Sequence, residues 1–197
     1  MNELYIGTSG WTYTPWRGQF YPKGLAQRDW LAFYAKHFNA VEINATFYRT
    51  FPETIYARWY DAVPPNFRFA LKGPQVITHE KALADIQVEL NQFVSASNAL
   101  RDKRGVLLWQ FPASLHADDA VLGRLAHFLA LLPPSVAQVF EFRHSSWFSE
   151  DVFSLLSRHR AGLVSQDRSS LQQALTTVSG LTYVRFHGPG KRYDSLY

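Results

Sequence analysis

The chain of 197 residues has no cysteine, which excludes disulfides, thiolate metal sites and a cysteine nucleophile. Charge is sparse: Asp, Glu, Lys and Arg make up 18% of the residues. No Lys/Arg run marks a tail for polyanions, and the net charge of +4 fits an ordinary basic surface as well as a patch that attracts phosphate or nucleic acid. No apolar run approaches the roughly 20 residues of a membrane span. The opening MNELYIGTSGW lacks a charged start followed by an apolar core, so no signal peptide is expected, and the expected location is cytoplasmic with no membrane partner. Repeats, low-complexity tracts and linkers are missing, so one domain over 1–197 is expected. No G-x-G-x-x-G follows the first apolar run, and neither H-x-x-x-H nor D-x-D occurs. Neither a cofactor nor a metal is therefore expected.

Aromatic residues are abundant, at 16%, and many of these rings must be buried or line a cleft. Short apolar runs alternate with longer segments of helical spacing. Strands are expected at 4–9 (LYIGTS), 40–48 (AVEINATFY), 67–73 (FRFALKG), 105–112 (GVLLWQFP), 138–144 (QVFEFRH), 161–167 (AGLVSQD) and 181–188 (LTYVRFHG). Helices are expected at 27–38, 52–63, about 82–101, 118–132 and 149–159, with Pro52 and Glu53 suiting a helix start and Ser149 an N-cap. Strand–helix alternation implies an α/β fold with a parallel sheet. Seven strands without a break in composition favour a TIM-type (β/α) barrel over a doubly wound open sheet.

The segment VFEFRHSSW (139–147) carries a carboxylate and a guanidinium two residues apart inside an apolar strand. Alternate side chains share a face of a strand, so Phe140 and Phe142 face one way and Val139, Glu141 and Arg143 the other. If the aromatics meet the helices, the charges face the interior near the C-terminal mouth, where barrels place their sites. The same count on the other strands adds Glu42, Asn44, Lys72, Gln110, Asp167, Arg185 and His187. Lys72, Arg143 and Arg185 make an anion site, since Arg binds phosphate or carboxylate in a fork and Lys adds a point charge. The competing reading is mutual neutralisation with Glu42, Glu141 and Asp167. Glu42, Glu141 and His187 are the candidate proton-transfer groups. His79 on the loop after the third strand can reach the mouth or simply be solvated, and His144 is either a further acid–base candidate or a cap for its loop. A metal held by Glu42, Glu141, Asp167 and His187 is opposed by the nearby Arg and Lys. Trp11, Tyr48 and Trp147 near strand ends either stack on a sugar or base or pack the loops.

Six ordered stretches, GTSGWTYTPWRGQFYP (7–22), FNAVEINATFYR (38–49), FRFALKGPQVITH (67–79), LLWQFP (107–112), EFRHSSW (141–147) and YVRFHG (183–188), resemble the YecE-like family, the domain of unknown function 72. The resemblance implies a TIM barrel with no established reaction, likened in fold to sugar-isomerase and apurinic-endonuclease barrels. Family members continue past Tyr193 and Tyr197 into a further helix and a last strand, so this chain is expected to be C-terminally incomplete relative to the family. Three functions follow as expectations. The first is an enzyme, a hydrolase or isomerase, acting on a small anionic, phosphate- or sugar-like ligand. The second is a nucleic-acid binder whose affinity falls steeply with salt. The third is a ligand-binding module without turnover.

Overall fold

The computed structural model describes residues 3–167 and 180–187. Gly188, the end of the seventh expected strand, and the closing KRYDSLY lie outside them. The fold is α/β. Its strands are β1 (Ala40–Ile43), β2 (Arg68–Lys72), β3 (Arg104–Gln110), β4 (Ala137–Glu141), β5 (Gly162–Gln166) and β6 (Tyr183–Arg185), ordered β1-β2-β3-β4-β5-β6 in one sheet. The pairs β1/β2, β4/β5 and β5/β6 are parallel. The α-helices are α1 (Trp30–Tyr34), α2 (Ala45–Tyr48), α3 (Glu53–Asp61), α4 (Gln87–Ser97), α5 (Asp119–Leu131) and α6 (Glu150–Arg158). Among the described residues, no helix is long and apolar enough to cross a membrane. The chain divides into two compact units: Met1–Pro74 with Gln87–Val106, and Gln75–Ile86 with Leu107–Tyr197.

In the first unit, Val41, Ile43, Phe67, Phe69 and Leu71 are buried around β1 and β2. The expected first strand is not a regular one. Ala40 and Glu42 donate their N–H groups to the Ile6 and Thr8 carbonyls at 3.3 and 3.0 Å, so 4–9 does run beside β1. Its own amides are diverted to side chains: Ile6 N–H donates to Asn39 Oδ1 at 2.7 Å and Thr8 N–H to the Tyr34 hydroxyl at 2.8 Å. That hydroxyl in turn donates to the Ala40 carbonyl at 3.0 Å. A phenol thus occupies one rung of the ladder. Gly7 lies so close that a Cβ would stand 2.0 Å from Ala40 O, a gap only glycine fits.

The second expected strand, 40–48, also ends early. It stops at Ile43, and 45–48 turns into the short helix α2. The buried Thr46 hydroxyl holds this turn, 2.8 Å from the Ile43 carbonyl and 2.7 Å from that of Lys72. Helix α3 begins after Pro52 with Glu53 in its first turn, as expected. Its far end is closed by Lys103. The ammonium donates to the Tyr60 and Val63 carbonyls, each at 2.7 Å, and lies 4.1 Å from the Tyr60 ring centroid. A cation there meets the negative end of the helix dipole, and burial pushes its pKa down.

The second unit packs α5 and α6 by their apolar stripes. Asp118 caps α5 by accepting the Val121 N–H at 2.8 Å, and Val121, Leu125, Phe128 and Leu129 bury one face. Phe128 meets Trp109 edge-on at 4.8 Å and Phe140 at 6.3 Å, so β4 does turn Phe140 toward a helix. Ser149 caps α6 through the Val152 N–H, with Glu150 and Asp151 in the first turn. The helix expected from about 82 cannot start there. Ala82, Leu83 and Asp85 all have positive φ (45°, 67° and 49°), which no right-handed helix accepts. They follow a π-helical turn, Val76–Glu80.

Candidate functional site

The second unit gathers three of the expected polar side chains around the carboxylate of a fourth, Glu141. Gln110 closes β3, Glu141 closes β4 and Arg185 closes β6, while Arg143 stands two residues beyond Glu141. The carboxylate of Glu141 is fully buried. Its Oε1 accepts from Gln110 Nε2 at 2.8 Å and from Arg143 Nε at 3.0 Å, and its Oε2 accepts from Arg185 Nη1. Burial pushes the Glu141 pKa up, but the charges of Arg185 and Arg143, with the hydrogen bonds from Gln110 and Arg143, outweigh it and hold the group below the usual carboxylate range. Glu141 is therefore an ionised anchor with both oxygens engaged, not a group poised to exchange a proton.

Arg143 behaves differently from its neighbours. Only Nε is engaged, the side chain is 33% exposed, and its two terminal nitrogens make no hydrogen bond among the described residues. A guanidinium fixed at one edge and open at the other presents a fork to an anion.

Asp167 and His187 form a separate pair at the ends of β5 and β6. The Asp167 carboxylate accepts the His187 backbone N–H at 2.9 Å, and its Oδ1 lies 3.1 Å from His187 Nδ1. Asp167 was expected to share a face with the inward charges. Register assigns that place to Gln166, which is paired with Arg185. Gln166 Nε2 reaches the Phe142 carbonyl at 3.4 Å. Among the described residues, no three His, Asp or Glu side chains gather as a metal site would require.

The remaining expected residues are scattered in role. Trp147 is no stacking platform. It is fully buried, lies parallel to Phe142 at 4.6 Å and donates its indole N–H to the Leu115 carbonyl at 2.7 Å. His144 caps its loop, as one of its two readings had it, by accepting the Ser146 N–H at Nδ1; its ring stacks on His116 at 3.8 Å. His79 sits in the π-helical turn with Nδ1 2.8 Å from the Thr78 hydroxyl. In the first unit, Glu42 and Lys72 are both buried, and Lys72 Nζ lies 3.8 Å from the Phe47 ring centroid. Asn44 stands past the end of β1, at the start of α2, and its Oδ1 is buried without a hydrogen bond among the described residues. Trp11 packs edge-on against Trp59 at 5.6 Å, and Tyr48 is 70% exposed. Sequence reasoning passed over Lys103 and Gln166. The signal for Lys103 was a cation just ahead of an apolar strand, which sequence cannot separate from a surface lysine.

A model of the family described as "Protein of unknown function DUF72" matches residues 5–197. The chain is 31% identical over 147 residues to the UPF0759 protein YecE of Escherichia coli K12, covering 75% of this chain and 51% of that protein. It therefore spans about half the length of that relative. It is 28% identical over 208 residues to the UPF0759 protein YunF of Bacillus subtilis 168, covering 96% of this chain and 71% of that one. Among solved structures, a DUF72 family protein from Thermotoga maritima MSB8 superposes with a TM-score of 0.82 at 27% identity, over 98% of this chain and 78% of the other.

Proposed function

The chain belongs to the DUF72 family, and from that premise we propose that its second unit binds a small anion, phosphate- or sugar-phosphate-like, at the C-terminal ends of β3, β4 and β6. Strands in chain order, parallel where paired, match the wall of a TIM-type (β/α) barrel, and we read the fold that way; such barrels keep their sites at those strand ends. The observation that carries the reading is Arg143: Glu141 fixes its Nε, and its outer nitrogens stay available to an anion. Arg185 and Gln110 hold the anchor from the other sides. In this reading Glu141 is positioning, not catalytic.

The test is calorimetric titration of the chain with inorganic phosphate. Wild type gives a saturable heat with a one-site midpoint. Arg143→Ala abolishes it with the fold retained by circular dichroism, and Arg143→Lys, which keeps charge but loses the fork, weakens it. Equal binding by wild type and Arg143→Ala ends the reading.

A further inference from the structure

The strand end that carries Arg185 carries a second pair that anion binding does not use. Burial alternates along 181–187, with Tyr183, Arg185 and His187 less exposed than Thr182, Val184 and Phe186. Arg185 and His187 therefore share a side of this segment. Asp167 holds His187 through the main chain and the ring together: both carboxylate oxygens lie 2.9 Å from the backbone N–H, and Oδ1 lies 3.1 Å from Nδ1. An ionised carboxylate only accepts, so this contact requires the ring proton on Nδ1. In the neutral ring the lone pair then sits on Nε2, which makes no hydrogen bond among the described residues. The two side chains are each 25% exposed, open enough to meet a ligand.

Resting on the anion-binding reading, we propose that His187 is the acid–base residue of a proton transfer on the anion held by Arg143, with Asp167 as its positioning residue. The substrate class is a small phosphate or carboxylate that also carries a removable hydroxyl or activated C–H proton. Nε2 forms a bond to that proton; the O–H or C–H bond breaks and its electron pair stays on the substrate. Asp167 faces the resulting imidazolium, and return of the proton from Nε2 restores the ring. Glu141, the other carboxylate in this unit's charged cluster, is excluded from the role because both its oxygens are engaged and its proton is held off.

The experiment is acylation of the full chain by diethyl pyrocarbonate with and without inorganic phosphate, read at each histidine by peptide mass spectrometry, beside nitrogen-15 NMR of the histidine tautomers. The proposal expects the Nδ1–H tautomer at His187, acylation at Nε2 faster than at the exposed His127 and His159, and protection by phosphate at His187 but not at those two. Asp167→Asn should shift the tautomer and slow acylation of His187 by about tenfold, because the wrong nitrogen then carries the proton. An Nε2–H tautomer in the wild-type chain overturns the proposal without needing a variant. Phosphate binding seen by calorimetry with no protection of His187 overturns it while leaving the anion site standing. No phosphate binding at all overturns both.

Discussion

Each unit holds a cation against its own acceptors, and the two are finished differently. In the first, Lys103 donates to the Tyr60 and Val63 carbonyls and lies on the Tyr60 ring, so its charge is consumed in closing α3. In the second, Arg143 gives one nitrogen to Glu141, and its other two make no hydrogen bond among the described residues. Burial alone does not separate them: Lys103 is the more buried, at 5% exposure, and Arg143 is a third open. What separates them is the count of donors left over once the protein's own acceptors are satisfied. A buried cation with none left is a structural cap; a half-open one with a free fork is a binding group.

The largest effect should come from removing the anchor of the second unit. Glu141→Ala leaves two guanidiniums around an empty site and should destabilise by about 3–5 kcal/mol in urea unfolding, the usual cost of breaking a buried ion pair. A loss under about 1 kcal/mol would mean that the pairs are solvated and the comparison is false. Next in size is Lys103→Ala. A buried and a part-buried carbonyl lose a charged donor, for a cost of about 2–3 kcal/mol, while the phosphate response should be untouched. If that response vanished with the fold intact, Lys103 would not be the purely structural member of the contrast.

A smaller effect, on pH, sharpens the same contrast. Glu141 is held below the ordinary value of 4.5, so the unfolded chain takes up its proton first as acid is added. The stability this gives is fully present above that value and is lost as pH falls through the lower folded one. The gap in stability between wild type and Glu141→Gln should therefore narrow as pH falls below 4.5, measured by urea unfolding at each pH. A gap that stays constant would assign the interaction to hydrogen bonding without charge.

The sequence was most legible where local chemistry decided the outcome. Apolar runs located β2 to β6, the caps Asp118 and Ser149 opened α5 and α6, and Glu141 with Arg143 stood out by their spacing in VFEFRHSSW. It was opaque where partners distant in the chain decided. ATFY (45–48) has strand-like residues but folds as α2, because the Thr46 hydroxyl is held by the Ile43 and Lys72 carbonyls. The run 4–9 looked like an ordinary strand, yet its rung is a phenol from Tyr34, which no alternation pattern records. Gln166, not Asp167, takes the place beside Arg185 because register between strands is set by packing, and a one-residue shift exchanges the faces.

Whether Arg143 holds donors the fold does not need is read from the stability of Arg143→Ala with and without inorganic phosphate. Without phosphate the variant should unfold within about 1 kcal/mol of wild type, since the bond from Arg143 to Glu141 is partly exposed. With phosphate at about 100 times its dissociation constant, wild type should gain about 2.7 kcal/mol and the variant nothing. A variant that gains as much as wild type, or one that collapses before phosphate is added, would show that Arg143 serves the fold as Lys103 does.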